Sequence, residues 1–111
     1  MIFVTGPLFA GKQTYICRVL GWSEADFAHN AIRDVQELAA EAEDLTALAD
    51  RLSEYAVVLS TEVGGGVVPM DRAERENREK GGRLACLLAE RADTVIRVQC
   101  GLPQVWKGKL P

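Results

Sequence analysis

The chain opens with an apolar, β-favouring run, Met1 to Thr5, that passes directly into Gly6-Pro-Leu-Phe-Ala-Gly-Lys-Gln-Thr14. No other stretch constrains the fold as strongly. A short apolar run bounded by a turn reads as a buried strand. The spacing G-x-x-x-x-G-K is that of a phosphate-binding loop, and a strand before it and a helix after it are the setting the motif requires. In such a loop, backbone N–H groups and the helix N-terminus point at phosphate oxygens. Gly6, Pro7, Leu8, Phe9, Ala10, Gly11, Lys12, Gln13 and Thr14 are therefore the candidate binding residues, and Lys12 is placed to reach the β- and γ-phosphates. The expected cofactor is ATP or GTP. One position breaks the pattern: the hydroxyl that normally follows the lysine holds Mg²⁺, and here that residue is Gln13, which is longer and neutral. Thr14 lies roughly 100° further round the helix and does not reach the same ion. Mg²⁺ stays a candidate companion of the nucleotide, with no metal-ligating residue assigned.

Downstream, the hydrophobic pattern sets out the remaining elements. Lys12 to Leu20 predicts a helix, closed by Gly21 as a C-terminal glycine. Ser23-Glu-Ala-Asp26 reads as a capping box with Trp22 and Phe27 as a hydrophobic staple, so a new helix starts at Ser23. Ile32, Val35, Leu38, Ala39, Ala42, Leu45, Leu48, Leu52 and Tyr55 then recur three or four apart, which predicts an amphipathic helix with one buried stripe. Asn30 is a candidate break before it. Ala56 to Val63 predicts the next strand, followed by Gly64, Gly65 and Gly66, a loop able to bring its backbone close to a ligand. Asp71 to Arg91 predicts a long helix with Asp71 as its N-terminal cap. Thr94 to Cys100 predicts a third strand, Gly101-Leu-Pro103 a turn, and Gln104 to Lys107 a short returning strand. Strands alternating with helices argue for a parallel sheet covered by helices. Ligands of such sheets sit at the carboxyl ends of the strands, so the phosphate loop and the glycine loop are expected along one edge.

Length and charge narrow the function. A chain of 111 residues is one domain, able to bury an ordinary core without staples. A net charge of −3 gives no footprint for nucleic acid. Arg72, Arg75, Arg78, Lys80 and Arg83 do cluster, but they alternate with Glu74, Glu76 and Glu79 and read as a solvated helix face. No apolar run approaches the ~18 residues of a membrane span, and the N-terminus has no basic region or cleavage site of a signal peptide. Cys17, Cys86 and Cys100 are odd in number and widely spaced, which predicts free buried thiols in a reducing cytoplasm. His29 stands alone, with no ligand-spaced cysteine for zinc and no nucleophile partner, and reads as a surface residue. Trp106 reads as a packing residue.

Glu62 is the second candidate catalytic residue, beside Lys12. It ends a buried strand and precedes the glycine loop. It is placed to hold Mg²⁺ through a water, to act as a general base, or simply to cap the N–H groups of that loop.

The second half also carries a resemblance. Glu62-Val-Gly-Gly-Gly-Val-Val-Pro69, then Arg75, Arg78, Glu79, Gly82, Leu88, Ala89, Ala92, Asp93 and Val95, resemble the bifunctional adenosylcobinamide kinase/adenosylcobinamide-phosphate guanylyltransferase (CobU) family of cobalamin biosynthesis. The family pattern N-E-V-G-x-G-I-V-P, then R-x-F-R-D-x-x-G-x-x-N-Q-x-L-A-x-x-A-D-x-V, runs in register without a gap from Glu62 to Val95. The ending GLPQVWKG is similar to the family's closing turn and strand, and VTGPLFAGK to its phosphate loop. Gln13 replaces the loop serine, Thr61 the asparagine before the glutamate, Asn77 a phenylalanine, Glu79 an aspartate, and Ala85-Cys86 an Asn-Gln pair. The family's long middle segment, with its H-R-x-x-R guanylylated histidine and a further strand bearing an acidic residue, has only a short helical-looking counterpart here, and His29 is not assigned that role.

The resemblance implies an α/β, three-layer P-loop nucleotide hydrolase-like fold, a small, mainly parallel sheet with helices on both faces. It implies a nucleotide-binding protein whose activity, where present, is kinase-like and not guanylyl transfer, with a corrinoid small molecule as candidate acceptor. It also implies a homo-oligomer. The second expectation is a non-catalytic oligomeric binding or regulatory protein derived from that family.

Overall fold

The central strand of the sheet is the one that feeds the glycine-bounded loop from Gly6 to Gly11. In the computed structural model, which describes residues 1–62 and 71–111, β1 (Ile2–Gly6) lies between β3 (Val57–Thr61) and β4 (Thr94–Gln99). The edges are β2 (Ala31–Ile32) beside β3, and β5 (Leu102–Lys107) beside β4. β1 through β4 pair in parallel; only β5 runs antiparallel. The register aligns Gly6 with Thr61 and Thr5 with Arg97, which brings the ends of β1, β3 and β4 level.

Helices cover both faces, so the central strands are apolar without alternation, as a doubly covered parallel sheet demands. On one face Phe3, Val58 and Val95 pack under α3 (Val35–Glu41), α4 (Leu45–Leu52) and α5 (Arg72–Arg91), through Val35, Ala39, Leu48, Leu52, Leu84 and Leu88. On the other, Val4, Leu59, Ile96 and Val98 meet Tyr15 and Ile16 of α1 (Lys12–Leu20) and Phe27 of α2 (Glu24–Asn30). Each such fully buried side chain contributes roughly 1.5–3 kcal/mol. An exposed pair such as Arg72 with Glu76, at 3.1 Å, adds at most about 1 kcal/mol. The two apolar layers therefore hold the fold, and charges of α5 such as Lys80 and Arg91 add tethers to α3 and α4. The α/β, three-layer architecture is the one expected from sequence.

Local signals place most helix ends. Gly21 closes α1 at φ 67°. Ser23 and Asp26 exchange both bonds of a capping box, and Trp22 packs in the same apolar cluster as Phe27. Asp71 caps α5 by accepting from the Ala73 N–H at 2.7 Å.

The middle of the chain departs from the expectation of one amphipathic helix from Ile32 to Tyr55. Ile32 belongs to β2, an edge strand. The helix then forms in two pieces. Asp34, at φ 57°, turns the chain into α3, and Asp44 restarts it as α4 by accepting from the Ala47 N–H at 3.1 Å. A periodic stripe survives such a break because both pieces rest on the same face of the sheet. Leu38 and Tyr55, at its margins, are exposed.

The C-terminal hairpin turns one residue earlier than Gly101-Leu-Pro103. Cys100 (φ 54°) and Gly101 (φ 72°) form the turn, and Gln99 already pairs with Leu102. Positive φ at both central residues gives the twist a two-residue hairpin needs. Pro103 then sits in an edge strand, where its missing N–H costs no ladder bond. Two packing expectations fail here. Trp106 is mostly exposed, because β5 is the edge strand and its residues face solvent. The cysteines are free, yet Cys86 and Cys100 are exposed and Cys17 is half-buried. Val63 and the glycine loop Gly64–Gly66 lie outside the described residues.

Two contacts fix the carboxyl end of the sheet. A Cβ on Gly6 would stand 2.2 Å from the Val98 carbonyl oxygen. Gly6→Ala is therefore expected to cost about 2 kcal/mol in urea unfolding, through backbone displacement at the loop entrance. The Gln36 amide oxygen accepts from the Thr61 N–H at 3.0 Å and tethers α3 to the end of β3. Gln36→Leu leaves that half-buried N–H without this partner. It is expected to cost about 1–2 kcal/mol, with faster exchange of the Thr61 amide by NMR.

Candidate functional site

The loop between β1 and α1 is a compact turn around the Lys12 ammonium. Ala10 N–H bonds the Pro7 carbonyl at 3.2 Å. Gly11 adopts φ 85°, and Phe9, at φ 60°, is driven outward until it is 94% exposed. The Lys12 ammonium folds back over the loop and donates to the carbonyls of Gly6 (3.2 Å) and Pro7 (2.9 Å). Burial lowers its pKa from the ordinary lysine value, while the carboxylates of Asp34 and Glu62 act in the opposite direction. This places a partly desolvated cation at the mouth of a helix, where an anion is favoured. The hairpin turn buttresses the loop from behind, since Gly101 N–H donates to the Ala10 carbonyl at 2.9 Å.

A cleft of about 260 Å³ opens over this loop, lined by Leu8 to Thr14 together with Arg33, Asp34, Leu59 and Thr61. All nine loop residues expected from sequence are thus contiguous at the carboxyl ends of the strands, with Gly6 and Pro7 supplying the carbonyls that hold Lys12. A larger hollow, about 870 Å³, lies at the opposite end, beside Asn30 and Ala56 that precede β2 and β3. It is lined there by His29, which is thereby separated from the loop. Strand carboxyl ends are where such folds bind ligands, so the smaller cleft is the candidate site.

Glu62 lies beside this cleft, and its two oxygens accept a fork from Arg97: Nε at 2.5 Å and Nη2 at 3.0 Å. Arg97 also donates to Gln99 at 2.6 Å. The pair bridges β3 and β4 across the end of β1, where the Glu62 N–H meets the Gly6 carbonyl at 2.9 Å. A bidentate guanidinium–carboxylate pair is geometrically rigid, so Glu62 is an oriented carboxylate.

Four side chains that the sequence reading passed over complete the site: Arg33, Asp34, Gln36 and Arg97. Arg97 had a visible signal, a charge inside the apolar strand TVIRVQ. Arg33 and Asp34 had almost none, because β2 is only two residues long. They are brought to the loop by the pairing of Ala31 and Ile32 with β3. Arg33 Nη1 donates to the Gln13 amide oxygen at 3.0 Å, and its Nε lies 3.9 Å from Asp34.

These residues fit Mg²⁺ poorly. Gln13 has no hydroxyl, and its amide oxygen is engaged by a cation. Both oxygens of Glu62 are engaged by Arg97. Among the described residues no group of three or more His, Cys, Asp or Glu side chains is arranged to hold a metal ion.

No helix among the described residues is long and apolar enough to cross a membrane. No curated protein matches the chain. The model of the family Cobinamide kinase / cobinamide phosphate guanyltransferase (CobU) matches residues 12–105. The match begins at the loop lysine and runs through every element from α1 into β5. With a parallel sheet, a glycine-bounded loop and a lysine at the helix start all in place, the chain belongs to the CobU family.

Proposed function

We propose that the chain binds the phosphates of ATP or GTP on Gly6 to Thr14, and that any turnover is kinase-like phosphoryl transfer. The observation that carries this reading is the half-buried Lys12 ammonium, held over a glycine-bounded turn at the start of α1. Lys12 neutralises phosphate charge. Backbone N–H groups at the start of α1 take phosphate oxygens. Glu62, fixed by Arg97, orients a water or an acceptor hydroxyl beside the transferred group. Phosphoryl transfer is mostly a matter of positioning and charge stabilisation, which these residues supply without forming a covalent bond. A corrinoid acceptor follows from the family's description. Guanylyl transfer is left out of the proposal because the sequence lacks the H-R-x-x-R segment and His29 lines the far end of the sheet.

The second reading is a non-catalytic oligomer, cytoplasmic like the first. It is favoured by β5, which carries Leu102, Val105 and Trp106 exposed on an edge strand. Solvent-facing apolar side chains on an open edge invite a second chain.

Calorimetric titration of ATP and GTP tests the first reading. Lys12→Ala is expected to weaken binding by about tenfold or more, the worth of one charge-assisted phosphate contact; unchanged affinity would sink it. Light scattering tests the second. The expected result is a dimer or larger species that Trp106→Glu dissociates, and a monomeric wild type would remove it.

A further inference from the structure

The family's activity implies a metal–nucleotide, yet the residue meant to hold the metal is bonded to an arginine. This mismatch carries an inference that rests on the phosphate-site reading above. We infer that Arg33 stands where the magnesium ion would, so that the loop binds a di- or triphosphate without metal.

The position after the loop lysine normally offers its oxygen to the cation. Here that position offers the Gln13 amide oxygen, and the cation it meets is the Arg33 guanidinium at 3.0 Å. Gln13 is long enough to reach the guanidinium, which a serine hydroxyl at the same position is too short to do. The departure from the loop pattern and the arrival of Arg33 are thus two halves of one arrangement. The guanidinium is charged at every physiological pH and presents a planar fork that matches phosphate oxygens. Its bond to Gln13 uses Nη1 and leaves other N–H groups to face the cleft. Arg33 lies on the chain just after β2, and its side chain is 65% exposed, so it has room to swing onto a ligand.

Charge supports the same conclusion. A divalent ion beside Gln13 would sit next to Arg33 and close to Lys12, against like charge on both sides. Asp34 is the carboxylate available to offset this, and it already lies 3.9 Å from Arg33 and acts on Lys12. With Arg33 and Lys12 both lining the cleft and Asp34 facing them, the charged residues of its wall sum to one positive charge. That balance suits a phosphate chain and not a cation.

The test is calorimetry with ATP, GTP and inorganic tripolyphosphate, each in Mg²⁺ and in EDTA. Wild-type affinity is expected to differ by less than about twofold between the two conditions. Arg33→Met is expected to weaken binding in EDTA about tenfold, with Arg33→Lys recovering part of the loss because it keeps the charge but not the fork. Gln13→Ser combined with Arg33→Met is expected to restore Mg²⁺ dependence. Circular dichroism melting confirms that each variant is folded. Binding of ATP or GTP only in Mg²⁺ overturns the inference and leaves the loop a nucleotide site; loss of that binding in Asp34→Asn then assigns the metal to Asp34. EDTA binding that survives Arg33→Met overturns the role of Arg33. Tripolyphosphate binding without nucleotide binding removes ATP and GTP and upholds the inference. No binding of any of the three overturns both.

Discussion

The Val98 carbonyl occupies the space where a side chain at residue 6 would be. That approach fixes how β1 leaves the sheet. The chain can pass between the ends of β3 and β4 only as glycine, and it emerges with its backbone already turned toward α1. Everything at the site is referred to this exit. Gly6 offers its carbonyl to Lys12 on one side and to the Glu62 N–H on the other. The Glu62–Arg97 pair then closes over it, joining the strands that flank β1. Because the neighbours of β1 are both parallel to it, their carboxyl ends arrive together and deliver Thr61, Glu62 and Arg97 to the same level.

The helices contribute by where they are forced to start. Gly11 and Asp34 both adopt left-handed φ values, 85° and 57°. Each such residue redirects the chain over a single peptide and sends a helix off the end of a strand. Gly11 does so at no steric cost. Asp34 is a tolerated exception, since short polar side chains visit that region more readily than others. Its position holds Arg33 toward Gln13 and lets Gln36 reach back to Thr61. The middle of the chain, short as it is, thus does two jobs: it covers one face of the sheet and it lends charge to the loop.

Much of this could be read from residues, and the limits have physical causes. The loop from Gly6 to Thr14 declares itself because glycine spacing, a lysine and an apolar strand coincide within one short stretch. Gly21, Ser23 and Asp71 were legible because caps depend on local chemistry. β2 was not legible. Two residues carry no period, and the alanines and leucines that follow prolong the helical stripe across the breaks at Asp34 and Asp44. Exposure at β5 was missed for a related reason: Leu102, Val105 and Trp106 look like core residues in any sequence, and only their place on an edge strand shows that they are not. The ion pairs were beyond reach from the start. Glu62 and Arg97 are far apart along the chain, and only strand order brings them within 3 Å.

The half-buried ammonium of Lys12 also couples the loop to protons. In the free chain its proton is held less tightly than in an unfolded chain, so folding stability rises as pH climbs through the lowered pKa toward the ordinary value of 10.5. An anion seated against the ammonium reverses this preference. Such an anion would favour the protonated Lys12, and its affinity would weaken as alkaline pH removes that proton. An anionic ligand of the kind proposed and this proton would therefore each strengthen the hold on the other.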